Sequence, residues 1–137
     1  MFVLDTNVAI AVAMGTDTGK LFKDLIESNE QMISSELTLA ESTHSIRKYV
    51  KGGYASAETG KVWMQAIQGM VDKFYPIQPD IEDVLHEALR LDHSPYDLFN
   101  FVLARRHNAT IVSCDKKFIS LCFKEGLNVC TEVDLSA

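Results

Sequence analysis

The three cysteines, Cys114, Cys122 and Cys130, are an odd number, and no two of them are spaced as a C-x-x-C pair. That disfavours a disulfide framework and a zinc site; the thiols read as free, buried or semi-buried groups in a reducing compartment. Proline is scarce, and no stretch rich in Pro, Gly or Ser marks a linker. The apolar run Val8 to Met14 is far too short to span a bilayer. Nor does Met1-Phe2-Val3-Leu4-Asp5 place a basic residue ahead of an apolar run, as a secretory signal would. The expectation is a soluble, cytoplasmic protein with no membrane partner. An excess of positive charge is missing too: 13 Lys and Arg against 19 Asp and Glu leave a formal charge of −6. That counts against a protein gripping nucleic acid along a basic face. It leaves open one that meets nucleic acid through bound cations, because metal ions reverse the local field of a carboxylate cluster.

What is present is ordinary globular chemistry. An apolar fraction of 47% and a charged fraction of 23% exclude disorder, and 137 residues suit one domain spanning 1–137. Short apolar runs alternate with longer amphipathic ones. Phe2-Val3-Leu4 reads as a strand, with Thr6 capping a helix from Asn7. A helix follows over about 18–28, then a Met32-Ile33 strand, then a helix capped by Ser34 or Ser35 and ended by Gly52-Gly53. Residues 56–73 read as helix and 74–77 as strand, with Asp80 and Asp83 opening the next helix in a near capping box. Ser94-Pro95 starts a helix reaching about His107. Thr110-Ile111-Val112 is a strand, 116–124 a helix, and 127–130 a last strand. Strands separated by helices predict an α/β fold with a central parallel sheet covered on both faces, and ligands bind such sheets beyond the carboxyl ends of the strands.

Four acids fall near those ends. Asp5 directly follows the first strand, Asp115 follows Val112 closely, Asp97 sits in the first turn after Ser94-Pro95, and Glu41 lies in the helix after Met32-Ile33. Each alone has a simpler reading: Asp5 and Asp115 as helix caps, Asp97 as a first-turn acid favoured by the helix dipole, Glu41 as a solvated helix residue. Gathered together they would repel one another unless protons or cations were supplied. Hard oxygen donors without His or Cys suit Mg²⁺ or Mn²⁺.

These segments resemble a known family. Val3-Leu4-Asp5-Thr6-Asn7-Val8-Ala9-Ile10 is similar to the opening of PIN-domain ribonucleases, especially VapC-like toxins of bacterial and archaeal toxin–antitoxin pairs. Leu37-Thr38-Leu39-Ala40-Glu41 resembles the segment of the family's second acid, and Tyr96-Asp97-Leu98-Phe99 with Val102-Leu103-Ala104-Arg105-Arg106 that of the third. Ala109-Thr110-Ile111-Val112-Ser113-Cys114-Asp115, with Phe118 beyond it, resembles the fourth, with Ser113 where Thr is more usual. One block is weak, but four in the right order cover nearly the whole chain. The 56–73 helix and the Gly52-Gly53 loop fall in the family's variable, clip-like region. The resemblance implies a three-layer α/β/α sandwich, metal-dependent endoribonuclease activity, a homodimer, and an antitoxin whose tail covers the site.

On that resemblance, Asp5, Glu41, Asp97 and Asp115 are the expected catalytic and metal-holding residues for one or two Mg²⁺ or Mn²⁺ ions. Cleavage of RNA would leave 5′-phosphate and 3′-hydroxyl ends. Thr6, Asn7 and Ser113 are the expected groups orienting carboxylates or waters, with capping and turn hydrogen bonds as the alternative. RNA could be guided by Arg47, Lys48 and Lys51, or by Arg105, Arg106, Lys116 and Lys117. Asp17 and Asp92 read as loop residues, Asn100 as a surface polar group, and His44, His86, His93 and His107 as structural or surface residues. A haloacid-dehalogenase-like phosphohydrolase would need an Asp where Asn7 stands, and a receiver domain lacks its well-placed partner Lys. The stronger rival is a non-catalytic PIN-fold module that binds RNA or protein; the presence of all four acids argues against it.

Overall fold

The computed structural model describes Met1–Ser136. Five strands, Phe2–Leu4 (β1), Met32–Ser35 (β2), Lys73–Tyr75 (β3), Thr110–Val112 (β4) and Val129–Cys130 (β5), form one sheet in the order β3-β2-β1-β4-β5. Every neighbouring pair is parallel. Parallel neighbours need long crossovers, and helices supply them. Thr6–Met14 (α1) and Asp17–Ile26 (α2) join β1 to β2, and Leu37–Lys51 (α3) and Ala57–Met70 (α4) join β2 to β3. Ile81–Leu91 (α5) and Pro95–His107 (α6) lead to β4, Lys116–Lys124 (α7) leads to β5, and Glu132–Leu135 (α8) follows.

Alternation along the strands divides the interior in two. Val3, Ile33 and Ile111 pack with Val84, Leu98, Phe101 and Phe118 on the face covered by α5, α6 and α7. Leu4, Met32 and Val112 point the other way, to Val8, Phe22, Ile46 and Ile67 of α1 to α4. The result is the expected three-layer α/β/α sandwich with a central parallel sheet. From β1 the chain first builds outward through β2 to β3, then returns to place β4 on the other side of β1. That reversal opens a crevice beyond the carboxyl ends of β1 and β4, where sheets of this type bind ligands.

Several local expectations shift. Asp5, not Thr6, caps α1, its side chain accepting from the Thr6 N–H. Ser34 and Ser35 belong to β2 and are buried, and α3 starts after Glu36 with no side-chain cap. Ser34 Oγ donates instead to the Leu4 carbonyl at 2.7 Å, tying β2 to the end of β1. The fourth helix stops at Met70, because Asp72 turns back to accept from Met32 N–H at 2.8 Å and Lys73 already pairs with β2. Asp80 forms no side-chain cap; its carboxylate pairs with Arg106. Pro95 opens α6, but Ser94 makes no side-chain cap. The last strand keeps only Val129 and Cys130, and α8, opened by a Thr131–Asp134 capping box, is an element beyond those expected from the sequence. Among the described residues no helix is long and apolar enough to cross a membrane.

Candidate functional site

Asp5 leaves the end of β1 where the backbone turns from sheet into helix, and its carboxylate is buried, 5% exposed. Such a group must be hydrogen-bonded. Ser113 Oγ, delivered by the end of β4, donates to Oδ2 at 2.8 Å, and Asn7 Nδ2 donates to the same oxygen at 3.0 Å. Thr6 N–H and Asn100 Nδ2 reach Oδ1 at 3.0 and 3.4 Å. Asn100 is therefore buried rather than a surface polar group, and its own oxygen accepts from Ser35 N–H at 3.1 Å. Two strand ends and α6 thus meet on one carboxylate. Burial still pushes the Asp5 carboxyl above its ordinary value, with the Asp97 charge adding to the rise and the Ser113, Thr6 and Asn100 bonds resisting it.

Glu41 projects from the second turn of α3 and is held by Thr6 Oγ1, which donates to Oε1 at 3.0 Å. Its carboxyl is also raised, first by burial, then by the charges of Asp5 and Asp97, against the Thr6 bond. Asp97, in the first turn of α6, lies with Oδ2 2.9 Å from His93 Nε2. The His93 side chain is buried, and its ring tilts against Phe118 at 6.2 Å. By sequence His93 counts among the structural or surface histidines; its position four residues before Asp97 is the available signal, weakened because His93 lies ahead of the first residue of α6, Pro95. Asp5, Thr6, Asn7, Glu41, Ser45, Tyr49 and Asp97 line one cavity of about 440 Å³. A hollow of about 490 Å³ between α1, α2 and α4 is larger but brings no such group of acids together.

Asp115 stands apart. It caps α7, with Oδ1 accepting from Lys117 N–H at 3.1 Å and Phe118 N–H at 3.2 Å, and it does not line the carboxylate cavity. Ser113 connects the two: its Oγ accepts from Asp115 N–H at 3.1 Å while donating to Asp5. Asn7 works across the same junction, its oxygen accepting from Cys114 N–H at 3.1 Å. Among the described residues, no three His, Cys, Asp or Glu side chains approach closely enough to form a ready metal cage. The donor set nevertheless suits a hard cation. Asp5 and Glu41 both feel the negative charge of Asp97, and a divalent ion between them would relieve that repulsion.

The basic candidates separate on inspection. Arg105 pairs with Glu87 at 3.1 Å and stacks over Phe101, and Arg106 pairs with Asp80, so both serve α5–α6 packing. Arg47 and Lys51 line a groove between α3 and α4, whereas Lys48 and Lys117 line hollows next to Tyr49 and His93 respectively. The cysteines are free; Cys122 is buried, its thiol pushed up to about 12 by burial and by the Asp5 and Asp97 charges.

Comparison with curated protein sequences gives no match. Among solved structures the fold is similar to VapBC2 from Rickettsia felis bound to a DNA fragment from its promoter, with TM-score 0.67 at 18% identity, covering 95% of this chain and 97% of that one. It is also similar to FitAcB from Neisseria gonorrhoeae, with TM-score 0.69 at 17% identity, covering 98% and 100% of the two chains. FitAB bound to the IR36 DNA fragment follows, with TM-score 0.66 at 16% identity over 96% and 95%. At such identities these likenesses speak for the fold. The sequence itself matches the PIN domain model over residues 2–124, and the chain belongs to the PIN-domain family.

Proposed function

We propose that this chain is a Mg²⁺- or Mn²⁺-dependent endoribonuclease, and the toxin of a toxin–antitoxin pair. The observation that carries this is the convergence of Asp5, Glu41 and Asp97 on one cavity at the switch point of the sheet. Membership in a family whose members are typically nucleases supports it. Asp5, Glu41 and Asp97 would hold the metal, and Asp115 would complete the set through Oδ2, the oxygen its capping bonds leave free among the described residues. A divalent ion there supplies a lowered pKa for water and neutralisation of phosphate charge. The chain's own residues fix the carboxylates: Ser113 and Asn7 orient Asp5, Thr6 orients Glu41, and His93 orients Asp97. Water adds to phosphorus in line with the departing 3′ oxygen, giving 5′-phosphate and 3′-hydroxyl ends.

Solved structures of similar fold include VapBC2 and FitAB assemblies, and on that ground we propose an antitoxin partner for this chain. A homodimer is proposed as well. The test of the nuclease is cleavage of a mixed RNA pool by purified protein with Mn²⁺, with chelator, and by Asp97→Asn. Cleavage only by the unsubstituted protein with Mn²⁺ is expected, with unchanged far-UV circular dichroism in the variant. Full cleavage by Asp97→Asn, or in chelator, would sink the assignment.

A further inference from the structure

The turn between α3 and α4 carries an aromatic corner that the carboxylates do not need. Tyr49, in the last turn of α3, sets its ring edge-on to Trp63 of α4 (6.3 Å, 84°) and to Tyr54 of the turn (6.3 Å, 78°). Tyr54 is 82% exposed, so burial does not account for an aromatic residue there. Yet its ring is placed by the backbone. Tyr54 N–H donates to the Tyr49 carbonyl at 3.0 Å, and Gly53 takes φ +82°, a conformation that glycine reaches without strain. The ring lies against Gly52, where an added Cβ would come within 2.9 Å of Tyr54 Cε2. Gly52-Gly53-Tyr54 therefore builds an outward-facing aromatic surface.

That surface adjoins the carboxylates. Ser45, Lys48, Tyr49 and Tyr54 line a hollow of about 330 Å³, and Ser45 and Tyr49 also wall the cavity that contains Asp5, Glu41 and Asp97. An unpaired base offers a flat face to stack on Tyr54, and Lys48 at the rim suits the phosphate beside it. A duplex presents only base edges, so it would not engage the corner. A net charge of −6 weakens non-specific attraction to phosphate, so stacking on an aromatic face would add affinity that charge alone supplies poorly.

Resting on the nuclease reading above, we propose that Tyr54, walled by Tyr49 and with Lys48 at its rim, is a stacking subsite for one unpaired base of a single-stranded RNA. It lies beside the site of phosphate cleavage rather than within it. Because every base has a π face, the subsite selects single strands over duplexes without reading sequence.

The test is fluorescence anisotropy with a fluorescein-labelled, mixed-sequence single-stranded RNA of about 12 nucleotides, all proteins carrying Asp97→Asn to prevent scission. Tyr54→Leu is expected to weaken binding roughly ten-fold, and Tyr54→Phe to keep it within about two-fold. Gly52→Ala, by displacing the ring, should weaken it in the same direction. An abasic RNA of equal length should bind the parent and Tyr54→Leu alike, and circular dichroism checks that each variant is folded. Equal binding of intact RNA by parent and Tyr54→Leu would overturn the subsite, while Mn²⁺-dependent cleavage by the unsubstituted protein would leave the nuclease reading standing. Should the variant lose a protein partner instead of RNA, the corner is a protein contact and the proposal fails. If the unsubstituted protein neither binds nor cleaves RNA, both readings fall.

Discussion

The Ser113 hydroxyl links two acidic residues, donating to Asp5 while accepting from Asp115 N–H. Removing it leaves a buried carboxylate with one donor fewer, and its pKa, already raised by burial, climbs further. Ser113→Ala should weaken Mn²⁺ binding, read by calorimetry, by about 10- to 100-fold, the range typical for groups that orient metal-holding carboxylates. Ser113→Thr, which keeps the hydroxyl, should retain most of the affinity. A buried acid outside this cavity, Glu87, behaves oppositely. Burial alone would raise the Glu87 carboxyl, but hydrogen bonds from Arg90 and Arg105 outweigh it and hold it below its ordinary value of 4.5. A depressed carboxyl stabilises the fold above its unfolded pKa, and that stability is lost as pH falls through the folded one. Urea midpoints of parent and Glu87→Gln should therefore differ at pH 7, begin to approach one another as pH falls below about 4.5, and meet only below the depressed folded value. A gap that stays constant across that range would show that Glu87 acts by packing rather than by charge.

At the scale of elements, the corner between α1 and α2 fixes the orientation of the helix that begins at Asp5. Gly15 ends α1 in the left-handed conformation, and Thr16 caps α2 by accepting from Gly19 N–H at 3.0 Å. Gly19 then meets α1 so closely that a Cβ would stand 2.1 Å from the Ala11 carbonyl oxygen. Backbone cannot yield there as a side-chain tip could, so Gly19→Ala should destabilise by about 3 kcal/mol or more, measured by thermal unfolding. A loss under about 1 kcal/mol would mean that the two helices can slide apart. Such close approaches are invisible in a single sequence, where Gly19 is one helical glycine among others. The strands read well because Phe2-Val3-Leu4 and Thr110-Ile111-Val112 are short apolar runs between turn and helix signals. Boundaries went astray where a side chain had a tertiary use. Ser34 looked like a cap but bonds to Leu4, and Asp80 looked like half a capping box but pairs with Arg106. The acids at strand ends were legible from position alone. Asn100 and His93 were not, because their roles depend on how α6 packs over β1 and β2 and on the bend at Asp92, whose φ is +48°.

For the whole molecule, α5 carries an exposed apolar stripe. Val84 and Glu87 of this helix face inward, while Ile81, Leu85 and Leu89, four residues apart on the other face, are 49%, 59% and 76% exposed. An amphipathic helix ordinarily turns such a stripe into a core, and here nothing among the described residues covers it. The stripe is short and repeats on one helix, so a second copy can meet it about a two-fold axis with each leucine facing the same stripe. Leu85→Asp combined with Leu89→Asp introduces four like charges into that contact and should halve the mass seen by light scattering, leaving circular dichroism unchanged. The carboxylate cavity draws on α1, α3 and α6 rather than α5, so a monomeric variant that still cleaves RNA would show that each copy carries a complete site. Loss of cleavage together with the dimer would instead mean that pairing shapes the site. An unchanged mass would place the dimer contact elsewhere, and a monomeric parent would remove the homodimer from the proposed function altogether.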